Sequence, residues 1–330
     1  MTNQNGKTNE QDPLTTIDSI IHSRHNQGQL EEMRPTLIVG GGGSGQIILT
    51  RLKAILEDGY RDKWRQRISL LAFDTTSETF QVNSANGMVS LETGSEFFDI
   101  GDIPVSSIVR NIDSQVAIKE RLGPILSKLP VTNMRNGSKQ MRALGLMALL
   151  WNHPTVNDQL RQALWHLAGR NQVGNNLNQQ QGINVFICGS LAGGTGSGAT
   201  LDLAYLIRDA FSDLGTQAEF CHITGIGVLP QAFHGIKGPN MLPNTAAYLQ
   251  ELNTLMVKGN FEARYPDGRF LQSREAPFDI YYVVDGVDEA GRTWTDINAV
   301  CTMAAHAIYL QMGTQMGKKG ANAICYKLRV

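Results

Sequence analysis

Short apolar runs alternate along this chain with longer segments in which apolar residues recur every three or four positions. The short runs predict buried strands at 36–39, 68–73 and 183–188, and further strands near 219–229 and 279–284. Strands that alternate with helices predict an α/β fold, with a mainly parallel sheet covered by helices on both faces. In such sheets, ligands bind at the carboxyl ends of the strands.

The segments with helical spacing predict a series of helices between these strands. The segments are 47–56, 138–151, 154–168, 199–211, 245–257 and 295–311. Segment 105–129 also carries helical spacing, whereas 74–104 is irregular, with turn residues and room for short edge strands. The Asn- and Gln-rich stretch 170–182 has too little apolar content to pack, so it predicts an exposed loop.

The composition of the chain argues against several classes of protein. A length of 330 residues suits one large or two ordinary domains, and the formal net charge of −1 comes without a basic cluster, which disfavours a nucleic-acid partner. No run approaches the roughly 18 apolar residues of a membrane span, and the polar N-terminus does not have the pattern of a secretory signal. The four cysteines are widely spaced, which predicts free thiols in a reducing cytoplasm and no metal–cysteine site.

The glycine-rich segment 193–198 reads Gly-Gly-Thr-Gly-Ser-Gly and joins a predicted strand to a predicted helix. Such a connection places backbone N–H groups at the positive end of a helix dipole, where anions bind. Glycines let the backbone approach a polyphosphate without an intervening Cβ, and Thr195 and Ser197 can add hydroxyl donors. This segment therefore predicts a phosphate-binding loop.

A second glycine-rich segment, 40–46, follows the first predicted strand. Gly40, Gly42 and Gly45 satisfy the pattern GxGxxG, which also fits the dinucleotide-binding turn of an NAD(P)-dependent oxidoreductase. That hypothesis expects an acidic residue about 20 positions further on, and Asp74 follows the loop by about 30. It also leaves the other glycine-rich loop, roughly 150 residues later, without a role.

The Gly-Gly-Thr-Gly-Ser-Gly block resembles the signature loop of the tubulin/FtsZ superfamily, which clamps the phosphates of GTP. Other segments resemble that superfamily in the same order along the chain. Segment 40–46 resembles its first phosphate loop, 72–76 the segment near the phosphates and magnesium, and 136–145 the loop that faces the γ-phosphate; the last is close to divergent bacterial tubulin-like proteins. The resemblance covers about 35–312 and implies GTP or GDP and Mg²⁺ as ligands.

The same resemblance implies roles for individual residues. Asp74 would hold magnesium through water. The implied phosphate-binding residues are Gly41, Gly42, Gly43, Ser44, Gly45, Gln46, Gly137, Ser138, Arg142, Gly193, Gly194, Thr195, Gly196, Ser197 and Gly198. For Arg142, a solvated charge on a helix is an equally good interpretation. Valine at Gly194 or Gly196 is expected to abolish nucleotide binding while the fold survives.

Three residues are predicted to bind guanine. Asn244 lies in 243–248, which resembles a tubulin segment whose asparagine contacts the base; Trp294 and Asn298 lie in 294–298, which resembles the start of the superfamily's central helix. An aromatic ring offers a stacking surface, and a carboxamide both donates and accepts hydrogen bonds, as the edge of guanine requires. Alternatively, Trp294 is a core residue and Asn244 caps a helix.

The resemblance also suggests how the chain is divided. Residues 1–34 are predicted to be a partly disordered N-terminal extension, 35–312 the GTP-binding domain with a central helix near 295–312, and 313–330 the start of a missing or truncated C-terminal region. In tubulin and FtsZ an acidic motif beyond the central helix drives hydrolysis, and 313–330 contains no such motif. The chain alone is therefore expected to retain bound GTP and to hydrolyse it slowly or not at all.

The predicted function is that of a cytoplasmic, tubulin-like GTP-binding protein whose nucleotide controls self-association into filaments or oligomers. The alternative is a nucleotide-gated scaffold that does not polymerise and serves a partner complex. An NAD(P)-binding oxidoreductase is the least favoured alternative, because it accounts for one of the two glycine loops.

Overall fold

The computed structural model describes residues 33–129, 137–169, 182–236, 238–287 and 296–313, together with residues 30, 134, 291, 293 and 294. The predicted N-terminal extension, the loop at 170–182 and the segment 313–330 fall largely outside these residues. The described strands are β1 (Thr36–Gly41), β2 (Ile68–Asp74), β3 (Gln81–Ser84), β4 (Gly87–Ser90), β5 (Phe97–Asp99), β6 (Asn184–Ser190), β7 (His222–Val228), β8 (Phe261–Arg264), β9 (Phe270–Ser273) and β10 (Ile280–Val284). The described α-helices are α1 (Gly42–Tyr60), α2 (Val105–Arg110), α3 (Val116–Leu122), α4 (Arg142–Trp151), α5 (His153–Leu167), α6 (Thr195–Phe211), α7 (Met241–Lys258) and α8 (Ile297–Gly313).

Six strands form one sheet in the order β10-β7-β6-β1-β2-β5, and every pairing in it is parallel. From β1 the chain first builds outward through β2 to β5, and it then returns to β6 and builds the other half. The strand order therefore reverses between β1 and β6, and in open α/β sheets such a point leaves a crevice at the carboxyl ends of the two strands. The predicted mainly parallel α/β sheet is confirmed.

Both faces of the sheet are covered, as predicted. In β1, Leu37 and Val39 point into one core, which they share with α4, α5 and α6, whereas Ile38 points into a second core with α1 and α8. Helix α7 packs on the first side through Tyr248. Because β1 is buried on both faces, it reads as a continuous apolar run rather than an alternating one.

Element boundaries differ from the sequence prediction near both predicted phosphate segments. Strand β1 continues to Gly41 and α1 begins at the next residue, so the glycine-rich segment has no separate turn; Gly42 makes the change of direction with a φ of 72°. Helix α4 begins at Arg142 rather than at Ser138, because Lys139 and Gln140 adopt left-handed backbone conformations that a right-handed helix cannot contain.

The irregular and weakly periodic segments contain short elements that the sequence did not resolve. Segment 74–104 holds the antiparallel hairpin β3–β4 and the edge strand β5, and 105–129 is broken into α2, α3 and short 3₁₀ turns. A second hairpin, β8–β9, was not predicted. Strands of four residues give too little alternation to be recognised from a pattern. None of the described helices is both long and apolar enough to cross a membrane.

Candidate functional site

The two glycine-rich segments meet in direct backbone contact at the carboxyl ends of β1 and β6. A Cβ placed on Gly42 would lie 3.1 Å from the backbone nitrogen of Gly196, and one on Gly196 would lie 2.8 Å from the carbonyl oxygen of Gly41. No side chain fits between these backbones. Residues 41–45 and 193–198 thus form one feature, a glycine cradle, although the two segments are far apart in sequence.

Two helices begin in the glycine cradle, and neither start is capped by a side chain. Helix α1 follows Gly41 and helix α6 follows Gly194, and neither N-cap residue makes a side-chain hydrogen bond to its helix. The first N–H groups of an α-helix have no carbonyl partner within the helix, and they lie at the positive end of its dipole. Two such ends at one place form a site that suits an anion.

Hydroxyl groups from three separate segments meet beside the start of α6. The Oγ1 of Thr195 lies 2.7 Å from the Oγ1 of Thr75 and 3.1 Å from the Oγ of Ser138. The backbone N–H of Ser138 donates to the Thr75 hydroxyl at 2.9 Å. All three side chains are buried. This cluster holds the end of β2, the start of α6 and the segment before α4 together.

Asp74 is the carboxylate beside this hydroxyl cluster. It ends β2 and is buried; one carboxylate oxygen accepts the N–H of Thr75 at 2.7 Å, and the other accepts the hydroxyl of Thr76 at 3.2 Å. Burial raises the pKa of the Asp74 carboxyl, and the hydrogen bonds from Thr75, Thr76 and Thr195 oppose that shift only in part. A buried carboxylate held this way gains from a nearby cation.

The glycines of the cradle divide into open and enclosed positions. A Cβ on Gly43 would meet only an Asp74 oxygen, at 3.8 Å, and a Cβ on Gly193 only the Ser190 Cβ, at 3.9 Å. The others would strike protein: a Cβ on Gly194 would lie 2.8 Å from the Met141 nitrogen, and one on Gly45 would lie 2.7 Å from the carbonyl carbon of Gly40. A Cβ on Gly198 would strike the backbone oxygen of Arg142.

This division corrects the expectation that valine at Gly194 or Gly196 would leave the fold intact. At both positions the added carbon would collide with backbone atoms of neighbouring segments, which cannot move aside as a flexible side chain can. Gly43 and Gly193 are the cradle positions where an added methyl group would make only ordinary contacts with the described residues.

Besides Ser138 and Thr195 of the hydroxyl cluster, three more predicted phosphate residues direct their side chains to protein partners. The hydroxyl of Ser197 donates to the carbonyl oxygen of Gly193, which lies just before α6. The amide nitrogen of Gln46 donates to the carbonyl oxygen of Glu78 at 3.0 Å. In the structure, these two side chains hydrogen-bond backbone carbonyl oxygens next to the cradle. Ser44 is buried as well, and its carbonyl oxygen accepts from the thiol of Cys301 at 3.8 Å.

Arg142 is the third of these residues, and its guanidinium is fully engaged. It forms a two-point ion pair with Glu251 of α7, one contact of which measures 3.0 Å, and its Nε donates to the carbonyl oxygen of Ser197 at 3.0 Å. Neither interpretation of Arg142 includes these contacts, which the sequence did not predict. It ties α4 and α6 to α7.

The segment that leads into α4 carries an unusual backbone. Gly137, Lys139 and Gln140 have φ values of 82°, 47° and 59°. Glycine adopts this region freely, whereas each L-residue with a side chain pays roughly 1–2 kcal/mol there. The strain lies next to Ser138, at the edge of the cradle, and strained backbone of this kind persists only where its surroundings hold it in place.

Two of the predicted base-binding residues lie at the start of α8, beside α1. Asp296 accepts the backbone N–H of Asn298 at 2.9 Å and so caps this helix. The Asn298 amide nitrogen also donates to Asp296, whereas its Oδ1 is buried and has no hydrogen-bond partner among the described residues. Trp294 is half-buried and packs on the core that α1 and α8 share. Cys301, which contacts Ser44, holds this end of α8 close to the cradle.

Asn244 lies away from these two residues, on the opposite face of the sheet. It occupies the first turn of α7, and its amide nitrogen faces three backbone carbonyl oxygens: those of Gln140 at 2.8 Å, Ala192 at 3.0 Å and Gly193 at 3.3 Å. Among the described residues, no hydrogen bond joins Asn244 to Trp294 or Asn298.

Two residues that the site uses were not predicted from the sequence. Thr75 joins two segments through its hydroxyl, and Glu251 orients Arg142. For Thr75 there was a signal, because it directly follows the carboxyl end of a predicted buried strand, where ligand sites gather. Glu251 sits on the exposed side of a helix pattern, which gives no indication of a partner in another helix.

Metal ligands are sparse here. Among the described residues, no group of three or more His, Cys, Asp or Glu side chains could hold a metal ion. A magnesium ion at the cradle would have Asp74 on the protein side and would take its other oxygens from a ligand and from water, which is a common arrangement for this ion.

Several solved structures are similar to this chain. Similar solved structures include CetZ from Methanosaeta thermophila strain DSM 6194, at 16% identity over 84% of this chain and 54% of that one, with a TM-score of 0.46. TubZ of Clostridium botulinum phage c-st, with its C-terminal tail truncated, is 14% identical over 86% of this chain and 62% of that one, with a TM-score of 0.46. FtsZ from M. jannaschii is 12% identical over 92% of this chain and 60% of that one, with a TM-score of 0.42. The chain thus aligns with 54% to 62% of the length of these structures.

No curated protein sequence matches the chain. A family model described as "Tubulin like" matches residues 37–325, which is most of the sequence. The match spans both glycine-rich segments of the cradle and the helix that begins beside Trp294. The chain therefore belongs to the tubulin-like family, within the tubulin/FtsZ superfamily.

Proposed function

We propose that this chain binds GTP or GDP, with magnesium, in the glycine cradle. The observation that carries the proposal is the backbone contact between Gly42 and Gly196, which brings the uncapped starts of α1 and α6 to one point. Two helix N-termini without side-chain caps attract an anion with several oxygens, and a nucleotide polyphosphate is such an anion.

The polyphosphate would lie over the open glycines, Gly43 and Gly193, with N–H groups of both helices directed at its oxygens. Asp74, buried and beside the hydroxyl cluster, is the group that a magnesium ion would use, directly or through water. A cation favours the charged form of this carboxylate and so offsets the effect of burial.

The base would extend toward the start of α8. There Trp294 offers a ring, and the Asn298 Oδ1 is a buried acceptor that no other described residue satisfies. Guanine carries N–H donors on the edge that such an acceptor would read, whereas adenine at the same position presents an acceptor. This difference supports selectivity for guanine nucleotides.

Nucleotide-controlled self-association into filaments or oligomers is the second part of the proposal, and it rests on membership of the tubulin-like family. A nucleotide-gated scaffold that does not polymerise is the alternative. Right-angle light scattering and sedimentation with GTP, GDP and no nucleotide separate them: assembly that depends on GTP supports the first, and a single small species in all three conditions supports the second.

Isothermal titration calorimetry tests the binding step directly. GTP and GDP should bind with magnesium, ATP should bind at least about tenfold more weakly because polar groups at the base site stay unpaired, and NAD should not bind. Equal affinity for ATP and GTP would overturn the guanine assignment, and tight NAD binding would favour an oxidoreductase. Phosphate release across a range of protein concentrations tests the expected slow hydrolysis, since turnover that rises steeply with concentration would contradict it.

A further inference from the structure

We infer that Asn244 is a positioning residue: its amide group clamps the strained segment 137–141 to the signature loop 192–194, so that the two sides of the phosphate site stay in register. This inference rests on the proposed nucleotide function, and it replaces the expectation that Asn244 reads guanine. The observation behind it is the set of three carbonyl oxygens within 3.3 Å of one amide nitrogen.

The chemistry of the three partners fixes the orientation of the amide. Carbonyl oxygens only accept hydrogen bonds, so the group that faces them must be the NH₂ and not the oxygen of the carboxamide. One N–H is shared between two acceptors, because an NH₂ group has two hydrogens and three oxygens surround it. Asn244 is buried, and its donors are therefore used within the protein before any base arrives.

The carbonyls come from both sides of the site. Gln140 belongs to the segment before α4, where two consecutive residues with side chains have positive φ. Ala192 and Gly193 belong to the signature loop, at the carboxyl end of β6. The same two segments touch again at Gly194, where a Cβ would lie 2.8 Å from the Met141 nitrogen. The hydrogen bonds of Asn244 thus hold together two segments that pack so closely at Gly194 that no side chain fits between them.

The contacts of α7 on either side of Asn244 hold this residue in place. Asn244 lies in the first turn of this helix, and its backbone N–H donates to the carbonyl oxygen of Asn240 at 2.8 Å. One turn later Tyr248 is buried and accepts a hydrogen bond from Thr200 of α6 at 3.0 Å, and Glu251 pairs with Arg142. Three successive turns of α7 therefore hold α4, α6 and the loops in front of them.

Two substitutions test this role. Asn244→Asp has nearly the same shape but turns a carboxylate oxygen toward three carbonyl oxygens, so it replaces attraction by repulsion; Asn244→Ala only removes the donors. Asn253 is exposed on the same helix, so Asn253→Asp and Asn253→Ala are matched controls. Thermal unfolding of all four variants identifies any loss of the whole fold.

Calorimetry with GTP, ATP and inorganic tripolyphosphate is the first measurement. For a positioning residue, Asn244→Asp should weaken all three ligands by a common factor of about ten or more, and Asn244→Ala by about three to ten, because a clamp acts on the phosphates and not on the base. If GTP alone weakens while ATP and tripolyphosphate do not, Asn244 reads the base and the inference is wrong. Unchanged affinities for all three ligands would also overturn it.

Hydrogen exchange of the ligand-free protein is the second measurement, and it does not depend on nucleotide binding. Peptides covering 137–142 and 191–198 should both exchange faster in the Asn244 variants and remain as in the parent chain in the Asn253 variants. Loss of protection in only one of the two peptides would contradict the clamp. If the parent chain binds no nucleotide, the proposed function fails, and this exchange result alone decides whether Asn244 joins the two segments.

Discussion

The hydroxyl oxygens of Thr75 and Thr195 lie 2.7 Å apart, although the two residues are separated by 120 positions in the chain. Thr75 follows the carboxyl end of β2, and Thr195 is the first residue of α6. This hydrogen bond between two neutral hydroxyl groups joins two segments at the carboxyl edge of the sheet. It also links the cradle to Ser138, whose backbone N–H donates to the Thr75 hydroxyl.

Thr195→Val should destabilise the ligand-free protein, because valine has the same shape and lacks the hydroxyl that Thr75 and Ser138 contact. We expect a loss of about 1–2 kcal/mol in the free energy of unfolding, measured by urea denaturation. In a double-mutant cycle with Thr75→Val, the double variant should lose about 0.5–1.5 kcal/mol less than the sum of the two single losses. Thr254→Val is the control, since that exposed hydroxyl only bonds within its own helix; strict additivity would contradict a direct interaction.

Gly43→Ala and Gly193→Ala should leave the fold intact and weaken nucleotide binding. Both glycines belong to the cradle, and the closest tertiary contact of an added methyl group with a described residue would be 3.8 Å. Gly43 lies in α1, where alanine even adds about 0.5–1 kcal/mol of stability. Calorimetry should show GTP affinity reduced about tenfold or more.

Gly123→Ala is the matched control for these two variants, because its Cβ would also meet ordinary space, at 4.0 Å from the Lys119 side chain, away from the cradle. Gly194→Val should instead unfold at markedly lower urea concentration than the parent chain. If Gly43→Ala binds GTP as tightly as the parent, the polyphosphate does not lie over this glycine.

Asp74→Asn should stabilise the ligand-free protein at neutral pH and weaken its magnesium-dependent nucleotide binding. Burial raises the pKa of this carboxyl in the folded state, so the folded protein holds the proton more tightly than the unfolded chain. The stabilisation that Asp74 gains from its bound proton is therefore fully present below the pKa of the carboxyl in the unfolded chain, near 4. It is lost as the pH rises through the higher pKa of the folded protein.

The stability difference between Asp74→Asn and the parent chain should thus be small at pH 4 and grow toward pH 7, as followed by urea denaturation at several pH values. Asp62→Asn removes the same charge at a carboxylate that is 95% exposed and serves as control. A constant difference across this range would show that the buried carboxylate does not titrate differently on folding. Magnesium should also stabilise the nucleotide complex of the parent chain more than that of Asp74→Asn.

Lys53→Met should be far more destabilising than Lys119→Met, although each lysine lies 2.7 Å from a carboxylate. The Lys53–Glu96 pair is buried, with side chains 4% and 5% exposed, whereas Lys119 and Asp113 are 54% and 89% exposed. Without Lys53, the buried Glu96 carboxylate keeps only the half-exposed Arg65 as an ion-pair partner, so the loss should approach the about 3–5 kcal/mol of a broken buried pair. An exposed pair contributes about 0–1 kcal/mol.

Urea denaturation of both lysine variants gives the comparison. The double variant Lys53→Met/Glu96→Gln should recover part of the loss, since it removes both buried charges, and Arg65, which also pairs with Glu96, limits that recovery. Equal losses for the two lysine variants would mean that water reaches the Lys53 pair in solution.

The sequence by itself determined the architecture of this protein. Buried strands such as β1 and β6 appear as uninterrupted apolar runs because both of their faces are covered, and helices such as α6 keep their periodicity over many turns; both signals are local. The two glycine-rich segments could be placed at one site for the same reason, since both follow parallel strands, and the carboxyl ends of such strands share one edge of the sheet.

The tertiary structure alone decided which side chains face that site. Arg142 turns to Glu251, 109 positions away, and Asn244 to carbonyls of two distant loops, because these partners come together only when α4, α6 and α7 pack on one face of the sheet. A sequence motif identifies which polar groups are present, but it does not show which partner each buried donor bonds in the folded protein. The choice belongs to packing, since each buried polar group bonds to whatever acceptor the folded backbone brings within about 3 Å.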